Sequence, residues 1–430
     1  MERTYIKDLK SQVGKTAKVC GFVQTIRKQG GIIFLILRDV TGIIQAVVLK
    51  DAAEVFEESS GLSLESVVAV EGLVKEEKQA PGGFEVKIDK IEVLSKAEPE
   101  LPIPIIEEKS GDATDITKRL DWRWLDLRKP NNLLIFKVWD ELEEGFRDYF
   151  EKAGYIHIYT PSLMGTASET GSDVFEVKYF ETKAYLAQSP QFYKQMAMAS
   201  GFEKVFVMGP VFRAEPSFTT RHMTEFTGWD FEISFINSHD DIMAEEEKLL
   251  VSGFKALKED LGLDIEVPSI PFPKITMEEA KKKLADAGVK SGKKYDLTGD
   301  EELALSEMIK KETGHDFVFV TDWPVEARPF YHMRYEDKPG LTKSFDLLYK
   351  GVEVTTGAQR EHRYDVLIKQ AKDKGMKVEP LQDYLNFFRY GCPPHGGVGI
   401  GPGRLIMKIM DLPSVKEATY LPRDVKRLRP

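Results

Sequence analysis

The sequence predicts an α+β protein: a small N-terminal β-barrel followed by a larger domain of mixed strands and helices. Three observations support this. Five short apolar strands separated by glycine turns fill the first hundred residues. A charged, proline-containing stretch follows, and beyond residue 132 helical and strand patterns alternate without strict βαβ order. A chain of 430 residues with 42% hydrophobic content is long enough to bury more than one core.

The barrel strands are expected at Thr16–Phe22, Ile32–Arg38, Ile43–Leu49, Val67–Val74 and Phe84–Val93, with turns at Gly30-Gly31, Thr41-Gly42 and Pro81-Gly82-Gly83. Five strands in this length suggest a closed barrel, with the OB-fold as the leading candidate. Pro99, Pro102 and Pro104 then lead into Glu107, Glu108 and Lys109, which marks a boundary. The expected division is a barrel over 1–100, a hinge over 101–131 and a second domain over 132–430.

In the second domain, Leu134, Val138, Leu142, Phe146 and Phe150 recur every four residues and predict a helix over Asn132–Phe150, closed by Gly154. Tyr155 to Pro161 reads as a strand ending at proline. Apolar strands continue through Phe235, and a helix is expected over Ser238–Leu261. Residues 265–320 are charged and helical, at Met277–Ala287 and Glu301–Thr313, and read as a compact insertion without a reactive cluster.

The bulk numbers exclude several function classes. No apolar run reaches the length of a membrane span. The N-terminus lacks an apolar signal region, and the only two cysteines, Cys20 and Cys392, have no metal-ligand spacing. A cytoplasmic chain without structural zinc is the expectation. A net charge of −10 argues against a whole-surface nucleic-acid binder. Local basic patches remain at Lys118, Arg119, Arg123, Arg128 and Lys129, and at Arg423, Lys426, Arg427 and Arg429, where a solvated charged face is the other reading.

Chemistry concentrates in the run from Phe212 to Glu232, where Arg213, Glu215, Arg221, His222, Glu225, Phe226 and Asp230 lie between two apolar strands. An arginine fork suits phosphate oxygens, and an aromatic face suits a nucleobase. The bland alternative is a solvated hairpin with surface ion pairs. Further on, a strand, a turn at Lys350-Gly351 and a second strand would bring Asp346 and Glu353 together. Two carboxylates beside a triphosphate make a hard-oxygen site for Mg²⁺, whereas an exposed hairpin would use them for cross-strand pairing. Gly399-Ile-Gly401-Pro-Gly403-Arg404 is a glycine-rich turn before a helix, which by itself also fits a packing turn.

Together these segments resemble the class II aminoacyl-tRNA synthetases. Phe212 to Phe226 is similar to motif 2, in the form of the aspartate/asparagine/lysine subgroup. The helix, Gly154 and strand to Pro161 are similar to motif 1, which forms the dimer interface of that family. Arg404 resembles the motif 3 arginine that covers adenine opposite a motif 2 aromatic, here Phe226. The subgroup usually carries an acid just before that arginine, and this chain has Gly403. Gln188-Ser-Pro-Gln191-Phe-Tyr-Lys194-Gln195 resembles the aspartyl branch of the subgroup, in its compact archaeal/eukaryotic type.

The resemblance implies an OB-fold anticodon-binding barrel and a catalytic domain with an antiparallel sheet flanked by helices. It implies activation of L-aspartate with ATP and transfer to tRNA(Asp), with Mg²⁺ as cofactor and a homodimer as the assembly. By the same resemblance Arg213, Glu215 and Arg360 are catalytic. ATP would meet Arg213, Glu215, Arg221, His222, Met223, Phe226, Glu353, Gly401 and Arg404. Aspartate would meet Glu169, Ser189, Gln191, Lys194, Asp230, Thr356, Gly357 and Arg360, with Glu169 on a mobile loop that closes over it. The metal ligands would be Asp346, Glu353 and Thr356. Arg27, Phe34 and Gln45 match anticodon-reading positions, although Phe34 also fits a core role. Gln24 and Pro81 match positions that decide whether tRNA(Asn) is charged as well; Pro81 leans towards that relaxed form, whereas Gln24 matches neither pattern. The alternatives are an asparagine–tRNA ligase, against which Lys194 and Asp230 speak, and a paralogue acting as an RNA-binding protein.

Overall fold

The computed structural model describes residues 1–106, 114–166, 174–217 and 219–430, and these fall into two compact units, Met1–Asp126 and Leu127–Pro430. In the first unit five strands close a barrel: Thr16–Gln29, Ile32–Asp39, Gly42–Leu49, Phe84–Ser95 and Val67–Glu76, in that spatial order. Ile33, Leu35 and Leu37 alternate into its core with Val19, Val48 and Val70. The first strand runs seven residues beyond the expected Thr16–Phe22, because its second half pairs a different neighbour. Thr16 to Phe22 pair with Val67–Glu76, and after a bulge at Val23/Thr25 the polar continuation to Gln29 pairs with Ile32–Asp39. Bulges of this kind bend a strand around a small barrel. The alternation of side chains there is polar on both faces near the end, so the sequence pattern stops short.

The expected hinge over 101–131 is partly folded. Helices Ile116–Asp121 and Arg123–Asp126 form within the first unit, and Leu125 packs with Ile103 and Ile105. Arg123 and Arg119 both bond Asp126, at 2.8 and 3.0 Å, and Arg123 is fully buried. These two arginines therefore do not contribute to an exposed basic patch, a correction to the expectation from their spacing.

The second unit is organised on an eight-stranded sheet. Its order is Lys274–Thr276, Phe317–Thr321, Ser344–Tyr349, Val352–Gln359, His395–Ile400, Glu225–Ser234, Lys204–Phe212 and Ile156–His157. It is antiparallel except at the two edge pairs. The segment expected as an appended insertion is thus woven into the sheet: the strands Lys274–Thr276 and Phe317–Thr321 flank its helices Met277–Asp286 and Gly299–Thr313. Among the described residues no helix is long and apolar enough to cross a membrane.

One face of the sheet is covered by the long helices Pro130–Lys152 and His239–Glu259. The first starts on Pro130, and the second on a reciprocal Ser238/Asp241 cap. Val138, Leu142, Phe146 and Phe150 project into a core shared with Trp229, Phe231, Phe254 and Val398. The helices approach closely through Gly145 and Gly253, where a methyl at 253 would stand 2.5 Å from the Phe146 ring and 2.7 Å from Leu142. Overpacking of this kind costs about 1–3 kcal/mol, more than the roughly 1 kcal/mol that alanine gains over glycine in a helix. Gly253→Ala is therefore expected to lower stability, and a urea denaturation midpoint equal to or above wild type would contradict this packing.

Candidate active site

A cavity of about 740 Å³ opens over the middle of the sheet. The hairpin of Lys204–Phe212 and Glu225–Ser234, the strand Val352–Gln359 and the turn after Ile400 supply most of its wall. Of the residues expected to meet ATP, all nine line it: Arg213, Glu215, Arg221, His222, Met223, Phe226, Glu353, Gly401 and Arg404. Ser189, Gln191, Asp230, Thr356 and Arg360 line it as well. Lys194, Asp346 and Gly357 are buried directly behind that lining. Glu169 lies outside the described residues.

The floor is a cluster of alternating charges. Lys194, on the helix Gln191–Ala199, is fully buried and donates to Asp230 Oδ2 at 2.7 Å and to the Val398 carbonyl at 2.9 Å. Glu232 faces it at 3.3 Å and accepts from Arg360 Nε at 3.0 Å. Arg360 also donates Nη1 to His332 Nε2 and Nη2 to the Gly397 carbonyl, both at 2.9 Å. Burial opposes ionisation of Glu232, but Arg360 and then Lys194 outweigh it and hold its carboxyl below the usual range. Glu232 was not singled out in the sequence. It stands two residues after Asp230, so strand periodicity puts both on one face, and that signal was available. His332 and Arg328 sit in no recognisable motif and became visible only with the fold.

The carboxylate pair is real but staggered. Asp346 lies opposite Thr356, because the turn pairs Glu353 with Leu348 and a bulge at Leu347/Leu348 then shifts the register by one residue. Thr356 Oγ1 donates to Glu353 Oε1 at 3.0 Å, three residues back along the same strand. Arg328 pairs with Asp346 Oδ2 at 2.7 Å, while the buried Oδ1 has no partner among the described residues. Burial, followed by the charge of Glu353 and against Arg328, pushes the Asp346 carboxyl up. No group of three or more His, Cys, Asp or Glu suited to a metal occurs among the described residues. Two carboxylates and a hydroxyl nevertheless match a hard cation that takes its remaining oxygens from phosphate and water.

At the arginine-lined end of the cavity, Arg213 lies 5.5 Å from the Phe226 ring centre, and its buried Nε has no partner among the described residues. Arg404 donates to the Glu353 carbonyl at 3.0 Å and to the Arg221 carbonyl at 3.3 Å, and it stands 3.6 Å from Glu353 Oε1. These contacts replace the support expected from an acid at 403. A side chain on Gly403 would meet Val415 at 3.1 Å and Trp139 at 3.8 Å, so chiefly the C-terminal segment at Val415 limits that space. Burial, then Arg404, lowers the His222 pKa, and its Nδ1 meets Thr219 Oγ1 at 2.5 Å.

In the barrel, Arg27 and Phe34 are direct cross-strand partners, with the guanidinium 5.9 Å from the ring centre. Phe34 is half-buried and outside the barrel core, which separates it from its inward neighbours Ile33 and Leu35. Gln45 accepts from Arg27 at 3.4 Å and donates to Glu85 at 2.7 Å, so Glu85 orients it, a role the sequence did not disclose. Gln24 meets Arg38 at 3.4 Å at the bulge, and Pro81 opens the turn before Phe84.

A sheet cavity with paired arginines, a carboxylate pair and a charged floor, on a chain that also carries an OB barrel, defines a class of nucleotide-dependent RNA-acting ligase. Comparison with known proteins agrees. Residues 115–425 match the family model described as tRNA synthetases class II (D, K and N), and residues 17–94 match that of the OB-fold nucleic acid binding domain. This chain belongs to that class II family. It is 42% identical to the aspartate–tRNA(Asp) ligase of Pyrococcus abyssi, covering 97% of each chain. It is also 42% identical to the aspartate–tRNA(Asp/Asn) ligase of Aeropyrum pernix, over 99% of this chain and 98% of that one. The crystal structure of asparaginyl-tRNA synthetase from Pyrococcus horikoshii with asparaginyl-adenylate superposes with a TM-score of 0.91 at 34% identity, covering 100% of both chains.

Behind the floor, His395 gives the site a pH signature. Tyr384 donates to Gln195 Oε1, which leaves Gln195 Nε2 to donate to His395 Nε2 at 3.0 Å. His395 Nδ1–H then donates to the Pro393 carbonyl at 2.8 Å, which defines a neutral imidazole. Burial lowers its pKa to about 4 from an ordinary 6.5. As pH falls below 6.5 the unfolded chain takes up this proton first, so stability present above 6.5 is lost progressively down to about 4. The full loss is roughly 3 kcal/mol. His395→Gln should flatten the fall in urea midpoint between neutral pH and pH of about 5; an unchanged slope would show that this imidazole does not contribute.

Proposed function

We propose that this chain is an aspartate–tRNA ligase that joins L-aspartate to the α-phosphorus of ATP, releases pyrophosphate, and passes the aspartyl group to the 3′-terminal ribose hydroxyl of tRNA(Asp). The observation that carries this reading is the buried cation pair Lys194 and Arg360, joined through Glu232 beneath the cavity. The relatives named above as aspartate–tRNA ligases support it. The four floor charges cancel. An incoming aspartate presents its α-ammonium to Asp230 and Gln191, which releases Lys194 towards the substrate's side-chain carboxylate beside Arg360. Asparagine would leave that released cation buried and unpaired, a costly outcome.

In the activation step the aspartate α-carboxylate attacks the α-phosphorus as pyrophosphate leaves. Arg213 holds the α-phosphate, and Arg221 with His222 holds the γ-phosphate end of a bent triphosphate. Phe226 and Arg404 enclose the adenine, with Met223 and Gly401 at its edges. Glu215 orients ATP or the acceptor end. Ser189, Glu169, Thr356 and Gly357 complete the amino-acid pocket. Positioning and charge stabilisation suffice, so no nucleophilic side chain is used. Mg²⁺, held by Asp346, Glu353 and Thr356, would neutralise triphosphate charge. Residues 1–100 serve anticodon reading through Arg27, Phe34 and Gln45, residues 101–131 join the two parts, and residues 132–430 serve catalysis. The enzyme works in the cytoplasm as a homodimer, with Tyr155 to Pro161 and its preceding helix at the interface. Gln24 and Pro81 set tRNA choice, and Pro81 favours a relaxed enzyme that charges tRNA(Asn) too.

Arg360→Ala is expected to abolish aspartate-dependent ATP–pyrophosphate exchange. It also strips Glu232 of one cation, at a cost of about 3–5 kcal/mol, so the protein should remain folded with a lowered melting temperature. Near-normal exchange would defeat the assignment. Charging of purified tRNA(Asp) and tRNA(Asn) transcripts tests the rest. Both should accept aspartate; no charging of tRNA(Asn) would remove the relaxed reading, and no charging of either would remove the function.

A further inference from the structure

We propose that Glu302 is a positioning residue for the triphosphate: it fixes the guanidinium of Arg221 at the cavity wall, an inference that rests on the reading of Arg221 as a phosphate-binding cation. Glu302 lies in the first turn of the helix Gly299–Thr313, inside the segment where the sequence disclosed no reactive group. It is almost fully buried, and its Oε2 accepts from Arg221 Nη1 at 2.5 Å. The same oxygen accepts the backbone N–H of Glu353 at 3.2 Å, so one carboxylate ties the arginine loop to the strand bearing the candidate cation ligand.

The base that holds Glu302 is firm. Leu305 and Ile309 of the same helix sit in a core with Val318, Val320 and Leu348. Leu303 packs on the hairpin turn, where a side chain on Gly351 would come within 2.6 Å of it. The helix also starts on a reciprocal Thr298/Glu301 cap. Arg221 itself comes from the irregular connection between the strands ending at Phe212 and starting at Glu225. An arginine on such a connection samples many rotamers, and ordering it during binding weakens affinity. The ion pair removes that freedom beforehand. It uses Nη1, and among the described residues Nε and Nη2 meet no acceptor, so they stay available for phosphate oxygens.

Gly299 shows how tightly the guanidinium is seated. A methyl there would stand 2.7 Å from Arg221 Nη2, and it would displace the end of the side chain. Alanine at this helical position favours the helix, so Gly299→Ala perturbs the seat without weakening the element that carries it.

Steady-state ATP–pyrophosphate exchange, varying ATP and aspartate separately, tests the proposal on Arg221→Ala, Glu302→Ala, Glu302→Gln, Gly299→Ala and the Arg221→Ala/Glu302→Ala double variant. Glu302→Ala is expected to raise KM for ATP about tenfold while kcat and KM for aspartate stay within about twofold. Glu302→Gln keeps an acceptor and should recover most of the loss, and Gly299→Ala should raise KM for ATP several-fold. The double variant should be no worse than Arg221→Ala alone, because both changes remove one interaction. A KM for ATP that is unchanged or lowered in Glu302→Ala, an equal rise for aspartate, or multiplicative effects in the double variant would overturn the proposal. An unchanged KM for ATP in Arg221→Ala would instead overturn the phosphate reading of Arg221 beneath it.

Discussion

Four ionised side chains share the floor of this cavity, and none is tolerable there alone. Lys194 and Arg360 are nearly or wholly out of water, as are Glu232 and Asp230. Each charge faces a neighbour of opposite sign, and the two cations also donate to backbone carbonyls. Removing any one leaves a buried charge short of a partner. This mutual dependence determines which strands must be adjacent. Asp230 and Glu232 have to face the strand carrying Gly397 and Val398, and Arg360 has to leave the end of the strand beside it. The sheet order is the arrangement that meets all of these requirements together.

The arginine-lined end of the cavity is built differently. Its arginines lie on a loop and at a helix start, and their partners come from distant parts of the chain. Arg404 leans on the carbonyls of Glu353 and Arg221, and Arg221 leans on Glu302. These arginines are thus each held by one to three contacts from one side, whereas the charged floor is cross-linked throughout. That division suits a site in which a small metabolite must be discriminated by charge while a large polyanion must enter and leave.

Much of the site was legible in the sequence because its residues cluster in short runs with a chemical logic. The arginines, histidine and aromatic between 213 and 226 line one cavity, as their order suggested. The barrel was readable from strand alternation, except where Arg27 to Gln29, beyond a bulge, is polar on both faces. What escaped were residues whose role depends on long-range placement. Glu302 reads as one acid among several at a helix start, Glu85 as a surface acid on a strand, and His332 as an isolated imidazole. Each acquires meaning only when the fold brings Arg221, Gln45 or Arg360 to it. The staggered pairing of Asp346 with Thr356 likewise depends on a single bulge that no composition signal announces.

The strand His395–Ile400 carries a consequence for how such a pocket changes over time. A Cβ on Gly397 would stand 2.0 Å from the Phe231 carbonyl oxygen and 2.3 Å from Glu232 Oε2, so no side chain can be introduced there. The carbonyls of Gly397 and Val398 that receive Arg360 and Lys194 belong to the main chain, which point substitution cannot delete. Any change in the charge pattern of this floor must therefore come from exchanging the cations or acids themselves, in discrete jumps of whole charge. Gradual retuning has no foothold on this strand.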